Sequence, residues 1–407
     1  MKRDGLSAGA KTRRSRMPAP LKHIALLFGA LSWLTCNLDI ASAQATFDVG
    51  SIAPFGDVTK NTYFLTYTTF GTEEIGPSVG AFGAALPGVL GPGSQVNMAF
   101  VLAGPSVDGL PEAGGAGFRY RQKLASAPHL SFFVEADAVR VRLGSARGVA
   151  VGALGWRANM AVGVQRETAL TPTSRLSMTL EFERRRTTAE VLGTSALDER
   201  LYILHGRLVY SSAQSASSRR SIELEISKGL DAFGSTGNAN PLASRPGAAA
   251  AFLKASVTAS ATLPIAATLS FKNNIHAQWA DRALPVSQRC GYGTNVFSRG
   301  FDTSFIGGDQ CIALSHEIAF NVPAVRLGKV GLAFLQPYAA LDYGITRDLG
   351  GAFGASPIGR WSNVSAGIRF GTKGSISELS LSRILLAPTG RPEQPATRAW
   401  FRSAVRF

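Results

Sequence analysis

The chain has 407 residues, with 42 Lys/Arg against 27 Asp/Glu for a net charge of +15 at pH 7, and three cysteines. The basic excess is moderate and spread along the chain in alternation with acids, which excludes nucleic acid as the partner, because binding there needs a clustered basic surface. Beyond the first 43 residues there is no unbroken apolar run approaching the about 20 residues of a spanning helix, which excludes a helical membrane protein.

The N-terminus reads as an export signal. A basic lead, MKRDGLSAGAKTRRSRMPAPLKH, is followed by the 13-residue apolar run IALLFGALSWLTC and then by Ala41-Ser42-Ala43, a small-residue cleavage site. The long lead leaves two start positions open, Met1 and Met17. A lipid anchor on Cys36 is disfavoured, because Trp33 and Leu34 stand where small residues are required. The expected organisation is a signal peptide over 1–43, a short periplasmic segment over 44–61 and a single transmembrane domain over 62–407. Cleavage after Ala43 removes seven Lys/Arg and two Asp/Glu, leaving 364 residues with a net charge of +10. There is no room in that arrangement for a separate soluble domain. Two cysteines remain, Cys290 and Cys311, and an even pair in an exported chain predicts a disulfide. Two unpaired thiols are the alternative.

From TYFLTYTTF (62–70) onward the pattern has period 2. In LSFFVEADAVRVRLG the apolar set occupies Phe132, Val134, Ala136 and Ala138, then moves to 139, 141 and 143. A one-residue slip flips the faces of a strand, so a β-bulge is expected near Ala138–Val139. In RLSMTLEFERR, Leu176, Met178, Leu180 and Phe182 oppose Ser177, Thr179, Glu181, Glu183 and Arg185. In RSIELEISKG, Ile222, Leu224 and Ile226 oppose Glu223, Glu225 and Ser227. Turn-rich stretches, SSAQSASSRR (211–220) and FGSTGNANPLASRPG (233–247), separate such segments.

The chain stops on a strand, ATRAWFRSAVRF, with Ala399, Phe401, Val405 and Phe407 on one face and Arg398, Arg402 and Arg406 on the other. Trp400 breaks the alternation, either as an interfacial aromatic or packed within the wall. Long alternating strands, regular polar separators and a terminal aromatic in strand phase predict an all-β fold, an antiparallel transmembrane β-barrel. At about 20–23 residues per strand and turn, the length gives about 16 strands. Inward-facing candidates for the lumen are Arg121, Glu181, Glu183, Arg185, Glu223 and Glu225, and their mixed signs argue against a strongly ion-selective pore. The aromatic face of the last strand, Phe401, Val405 and Phe407, is the expected signal for the barrel assembly machinery.

Catalysis has little footing. The five histidines are scattered singly, without metal-ligand spacing, and no Ser elbow, phosphate loop or Cys-His arrangement occurs. No cofactor, metal or enzymatic activity is expected, although a Ser-His pair brought together by folding stays open.

One segment carries more information. HAQWADRALPVSQRCGYGTNVFSRGFDTSFIGGDQCIALSHEIAF (276–320) presents in order Gln278, Leu284-Pro285, Arg299-Gly300-Phe301, the turn Gly308-Asp309, and Glu317. This series resembles the barrel of the two-partner secretion transporters, the TpsB family typified by FhaC and ShlB, within the BamA-like superfamily. LQPYAALDYGITRD resembles the family strand with an Asp-x-Gly motif, here Asp342 and Gly344, and the likeness covers about residues 220–407. Ser298 departs from the pattern where Val usually precedes the Arg, and Ala340 where an aromatic or Gly is frequent.

The resemblance implies that the loop between strands 11 and 12 folds into the barrel, with Arg299 locked onto Asp342, Gly300 allowing the sharp turn and Phe301 packing on the wall. It also implies an outer-membrane translocator in a Gram-negative bacterium, passing or displaying a hemolysin- or adhesin-like partner polypeptide without ATP. Members carry POTRA domains before the barrel. This sequence is expected to lack them, leaving recognition to a separate POTRA-bearing chain or lost. A passive porin-like channel and a structural or adhesive barrel are the alternatives.

Overall fold

The computed structural model describes residues 58–69, 78–104, 112–142, 152–215, 218–237, 240–245, 247–293, 296–302, 306–327, 330–350, 358–389 and 395–407. The expected signal peptide and most of the expected segment 44–61 lie outside the described residues. Eleven strands come first: β1 (Thr62–Thr68), β2 (Val79–Pro87), β3 (Ser94–Ala103), β4 (Ala113–Leu124), β5 (Ala127–Arg142), β6 (Leu154–Thr171), β7 (Ser174–Val191), β8 (Thr194–Ser215), β9 (Ser218–Gly229), β10 (Leu253–Pro264) and β11 (Leu269–Ala280). A 3-10 turn (Val286–Gln288) and two short strands, β12 (Cys290–Tyr292) and β13 (Ile306–Gly308), follow. The chain ends with β14 (Gln310–Phe320), β15 (Val322–Leu327), β16 (Val330–Arg347), β17 (Ile358–Gly371), β18 (Ser375–Leu386) and β19 (Thr397–Arg406).

Every strand except β12 and β13 belongs to one antiparallel sheet that closes when β19 pairs with β1. β14 and β15 both pair with β16 and are separated only by Asn321, so they are one interrupted wall strand, and the barrel has 16 strands. β12 and β13 pair with each other, off the wall. The loop 281–309 therefore lies between the eleventh and twelfth wall strands.

Alternation decides what each face meets. Met160, Val162, Val164, Met178, Leu180, Ile222, Leu224 and Ile226 point outward and are exposed, while Glu183, His205, Ser227 and Asn274 point inward and are buried. An apolar outer surface of this extent is unsuited to water, and it is the band a hydrocarbon layer covers. The termini and the short turns, such as 125–126 and 172–173, share one end, and the loops 230–252 and 281–309 leave from the other. One two-residue turn breaks this rule: Leu192 and Gly193 both have positive φ, 54° and 70°, the geometry that matches a two-residue hairpin to the strand twist.

The seam is closed by the terminal aromatics. Phe407 exchanges backbone hydrogen bonds with Tyr63, 2.8 and 3.1 Å, and their rings stack at 5.9 Å. Val405 pairs with Leu65, and the Phe401 ring lies 6.4 Å from that of Tyr67. Trp400 faces inward and is buried.

Two expectations are corrected. The register of β5 runs without a shift through Ala138 and Val139 against both β4 and β6, so there is no bulge there. Val139 and Val141 instead point inward into a core with Val79, Val101, Val191 and Leu197, while Arg140 points outward and is exposed. The strand has climbed past the apolar band, where the outer side meets water and the apolar side chains pack inside. The stretch 211–220 is also mostly strand, since β8 runs to Ser215 and β9 begins at Ser218. Serine and arginine tolerate an inward-facing or rim position as readily as a turn.

Candidate functional site

The loop 281–309 leaves β11 and is fastened at its base by a disulfide between Cys290 and Cys311, the first inward residue of β14. The Tyr292 hydroxyl accepts from or donates to His276 Nδ1 at 2.6 Å and lies 2.9 Å from Cys311 Sγ, and burial raises this phenol above its ordinary range. Gly308 is required where it stands: a Cβ there would lie 2.8 Å from Thr346 Cβ and 3.0 Å from the backbone nitrogen of Arg347. Asp309 is fully buried and acts as a hub. Its carboxylate accepts from Arg245 Nη1 at 2.6 Å and from the backbone N–H groups of Leu284 and Leu349 at 3.0 and 2.7 Å. It thereby ties the loops 230–252, 281–309 and the segment after β16 to one another.

At the tip, Ser298 adopts a left-handed conformation with φ 61°, and Phe301 N–H donates back to its carbonyl at 3.2 Å. This turn aims Arg299 into the wall. Its guanidinium is 3% exposed by residue and donates to Asp342 Oδ1 at 2.8 Å, to Ser315 Oγ at 3.3 Å and to Glu317 Oε2 at 2.9 Å. The backbone N–H of Arg299 also reaches Asp342 Oδ2 at 3.1 Å, and Asn363 Nδ2 donates to that same oxygen at 3.0 Å. Gly300 packs against Asn363, whose Cβ would be 3.0 Å from an added Cβ. Phe301 is fully buried edge-on against Trp361 at 6.3 Å. Gly344 makes room for that indole, since a Cβ there would lie 2.6 Å from Trp361 Cζ2.

The ion pair is one link of a longer chain. Glu317, on β14, also accepts from Arg369 of β17 at 2.6 and 2.8 Å. Arg369 stacks 4.0 Å from the Tyr338 ring and donates to Glu378 of β18 at 3.0 Å, and Arg402 of β19 donates to the other oxygen of Glu378 at 2.9 Å. The order Asp342, Arg299, Glu317, Arg369, Glu378, Arg402 alternates in sign along the inner wall. Each carboxylate between two guanidiniums has both oxygens used, which is what makes burial of such charges tolerable.

The rest of the wall holds the loop too. Arg185 of β7 donates to the Ser287 carbonyl at 3.2 Å and Lys254 of β10 to Gln288 Oε1 at 3.1 Å, while next to β14 Gln278 of β11 donates to the Gln288 and Asp309 carbonyls at 3.2 and 3.1 Å. Asp302 pairs with Arg398 on β19. The loop thus crosses the lumen.

All six expected lumen residues face inward. Arg121 lies 3.5 Å from Glu167, Arg207 bridges Glu223 and Glu225 at 3.3 and 2.8 Å, and Arg185 pairs with Glu183 at 2.8 Å. Strand register brings His205 beside Glu181 and Glu183, with candidate ligand atoms within 4.8 Å of one another, a grouping that single-histidine spacing does not reveal. His205 is committed to Glu183 and Ser227, each at 2.9 Å. Sequence order alone gives Glu317 no role and does not mark Arg369, Glu378 and Arg402 as its partners in the chain of charge.

The sequence model for haemolysin secretion/activation protein ShlB/FhaC/HecB matches residues 139–370, more than half of the chain. The chain belongs to the ShlB/FhaC/HecB family. Among solved structures, CdiB from Escherichia coli superposes with a TM-score of 0.69 at 14% identity, covering 86% of this chain and 64% of that one. CdiB from Acinetobacter baumannii gives 0.66 at 14% identity, over 86% and 60%. BamA from Haemophilus ducreyi lacking POTRA domains 1–3 gives 0.59 at 8% identity, over 86% and 70%. The chain spans less than two thirds of the length of the two CdiB chains. No curated protein matches the chain. At these identities the superpositions establish a shared fold, and the ShlB/FhaC/HecB membership rests on the family match.

Proposed function

We propose that this ShlB/FhaC/HecB barrel is a two-partner secretion pore in a Gram-negative outer membrane. An unfolded partner polypeptide passes through its lumen without ATP, and the loop 281–309 is the gate. The observation that carries this reading is the seating of Arg299 between Asp342 and Glu317 on the inner wall, with the loop held on the far side by Arg185. Such an arrangement occupies the lumen at rest and is held by side chains that can be exchanged for others during passage. A standing porin needs an open lumen, so the occupied one favours a gated translocator. The outward face of the last strand, with Val405 and Phe407 exposed, supports insertion by the barrel assembly machinery, and capture of the substrate on the periplasmic side falls to POTRA domains.

The test is charge reversal. Arg299→Glu places a third carboxylate beside Asp342 and Glu317 and should expel the tip, lowering partner secretion at least tenfold and raising basal conductance in planar bilayers. Asp342→Arg in the same molecule should restore part of both. Wild-type secretion and conductance in Arg299→Glu would remove the gate from the proposal. Deletion of the protein that changed solute uptake and left every secreted protein in place would select the porin instead.

A further inference from the structure

The outer wall is not uniformly convex. Across β9, β10, β11, β14 and β16 a groove of 590 Å³ opens on the lipid-facing side, with Ala255 and Ala277 at its floor and Leu224, Trp279 and Ile345 among its sides. That volume falls in the range of ligand sites, about 300–1,000 Å³. Its origin is the register: Leu224, Val257, Ala277, Ile312 and Ile345 stand side by side on successive strands, so one small residue sits in a row of large ones. The next row towards the long-loop end sets Ala255 beside Trp279.

The groove ends on cations. Arg347 lines it, and Arg360 of β17 stands directly opposite Ile345 on the same outward face. Both arginines are exposed, and neither has an ion pair with any described residue. Elsewhere on the outer face Arg186 and Arg200 share Asp198, each within 3.2 Å, so an acid compensates them. Two uncompensated guanidiniums at the edge of a hydrocarbon-facing recess, at the long-loop end, match an anionic group carried on acyl chains.

We propose that this groove is a specific site for an acyl lipid that carries a net-anionic phosphate, in the leaflet at the long-loop end. One acyl chain lies over Ala255 and Ala277, and Arg347 and Arg360 donate to the phosphate. The proposal rests on the membrane-spanning reading of the barrel and is independent of whether it translocates a polypeptide.

The test uses the full chain, first shown to float with liposomes, then titrated in detergent by native mass spectrometry. The probes are a hexa-acyl diphosphoryl glucosamine lipid, its dephosphorylated form, phosphatidylcholine and inorganic phosphate. A single equivalent of the diphosphoryl lipid should be retained, with the dephosphorylated lipid and phosphatidylcholine at least tenfold weaker and inorganic phosphate not competing. Arg347→Gln with Arg360→Gln should weaken retention at least tenfold, as should filling the recess with Ala277→Phe. Arg184→Gln, an outward arginine away from the groove, should leave it unchanged.

Equal retention by the double arginine variant and wild type overturns the site, and so does equal weakening by Arg184→Gln. Displacement of the lipid by inorganic phosphate reduces the site to an anion contact and also overturns it. The exposed arginine substitutions keep the test valid if Ala277→Phe fails to fold. Failure to float would instead sink the membrane reading on which the proposal stands.

Discussion

Glu317 is the residue whose removal separates a single ion pair from a continuous chain of charge. It accepts from both Arg299 and Arg369 and is buried, so Glu317→Gln leaves two guanidiniums facing one neutral group. Breaking a buried pair on one side costs about 3–5 kcal/mol. The expected readout is a lower temperature at which the folded band on a semi-native gel is lost. Glu317→Gln with Arg369→Gln should be less destabilised than the two single changes added together, by roughly 0.5–3 kcal/mol of coupling. Strict additivity would reduce the chain to isolated contacts. Gly344→Val makes a different point, because its side chain would enter the space of Trp361 and approach the Ile312 carbonyl, 2.5 Å from the Cβ position. Overpacking of this kind costs about 1–3 kcal/mol. Near-ultraviolet circular dichroism should lose the Trp361 signal while the far-ultraviolet strand signal stays.

The loop 281–309 is the element on which both walls act. Its disulfide closes 21 positions of sequence, a constraint worth about 3 kcal/mol in chain-entropy terms. Cys290→Ser with Cys311→Ser should leave the barrel wall folded, since β12 and β13 belong to no wall pairing. Proteolysis within 296–302 should then quicken at least fivefold on the reconstituted protein. An unchanged rate would mean that Arg299, Asp309 and Phe301 hold the loop unaided. At the other end of the chain, Phe407→Ala removes the ring stacked on Tyr63, and the yield of inserted barrel should fall with the folded core unchanged.

For the whole molecule, the loop crosses the lumen, and towards the long-loop end inward residues of β2 to β5, β7 and β8 gather in a buried apolar core. Replacing 286–306 by a short Gly-Ser bridge should raise single-channel conductance, though only in part, because the apolar core stays. Conductance equal to wild type would place the barrier in that core alone.

The all-β architecture, the strand number and the membrane-facing surface were legible in the sequence, because side chains alternate with period 2 and the apolar half was too extensive for water. The family was legible from the order Arg299-Gly300-Phe301, Gly308-Asp309, Glu317 and Asp342-x-Gly344, since spaced motifs survive without any knowledge of register. Val139 and Val141 were misread because a strand crossing from hydrocarbon into water reverses which face is apolar, and one-dimensional alternation registers only the reversal. The charge chain through Arg369, Glu378 and Arg402 and the groove floored by Ala255 and Ala277 were decided by tertiary structure. Each depends on which residues of neighbouring strands stand side by side, a register set by turn length and pairing that alternation by itself does not give.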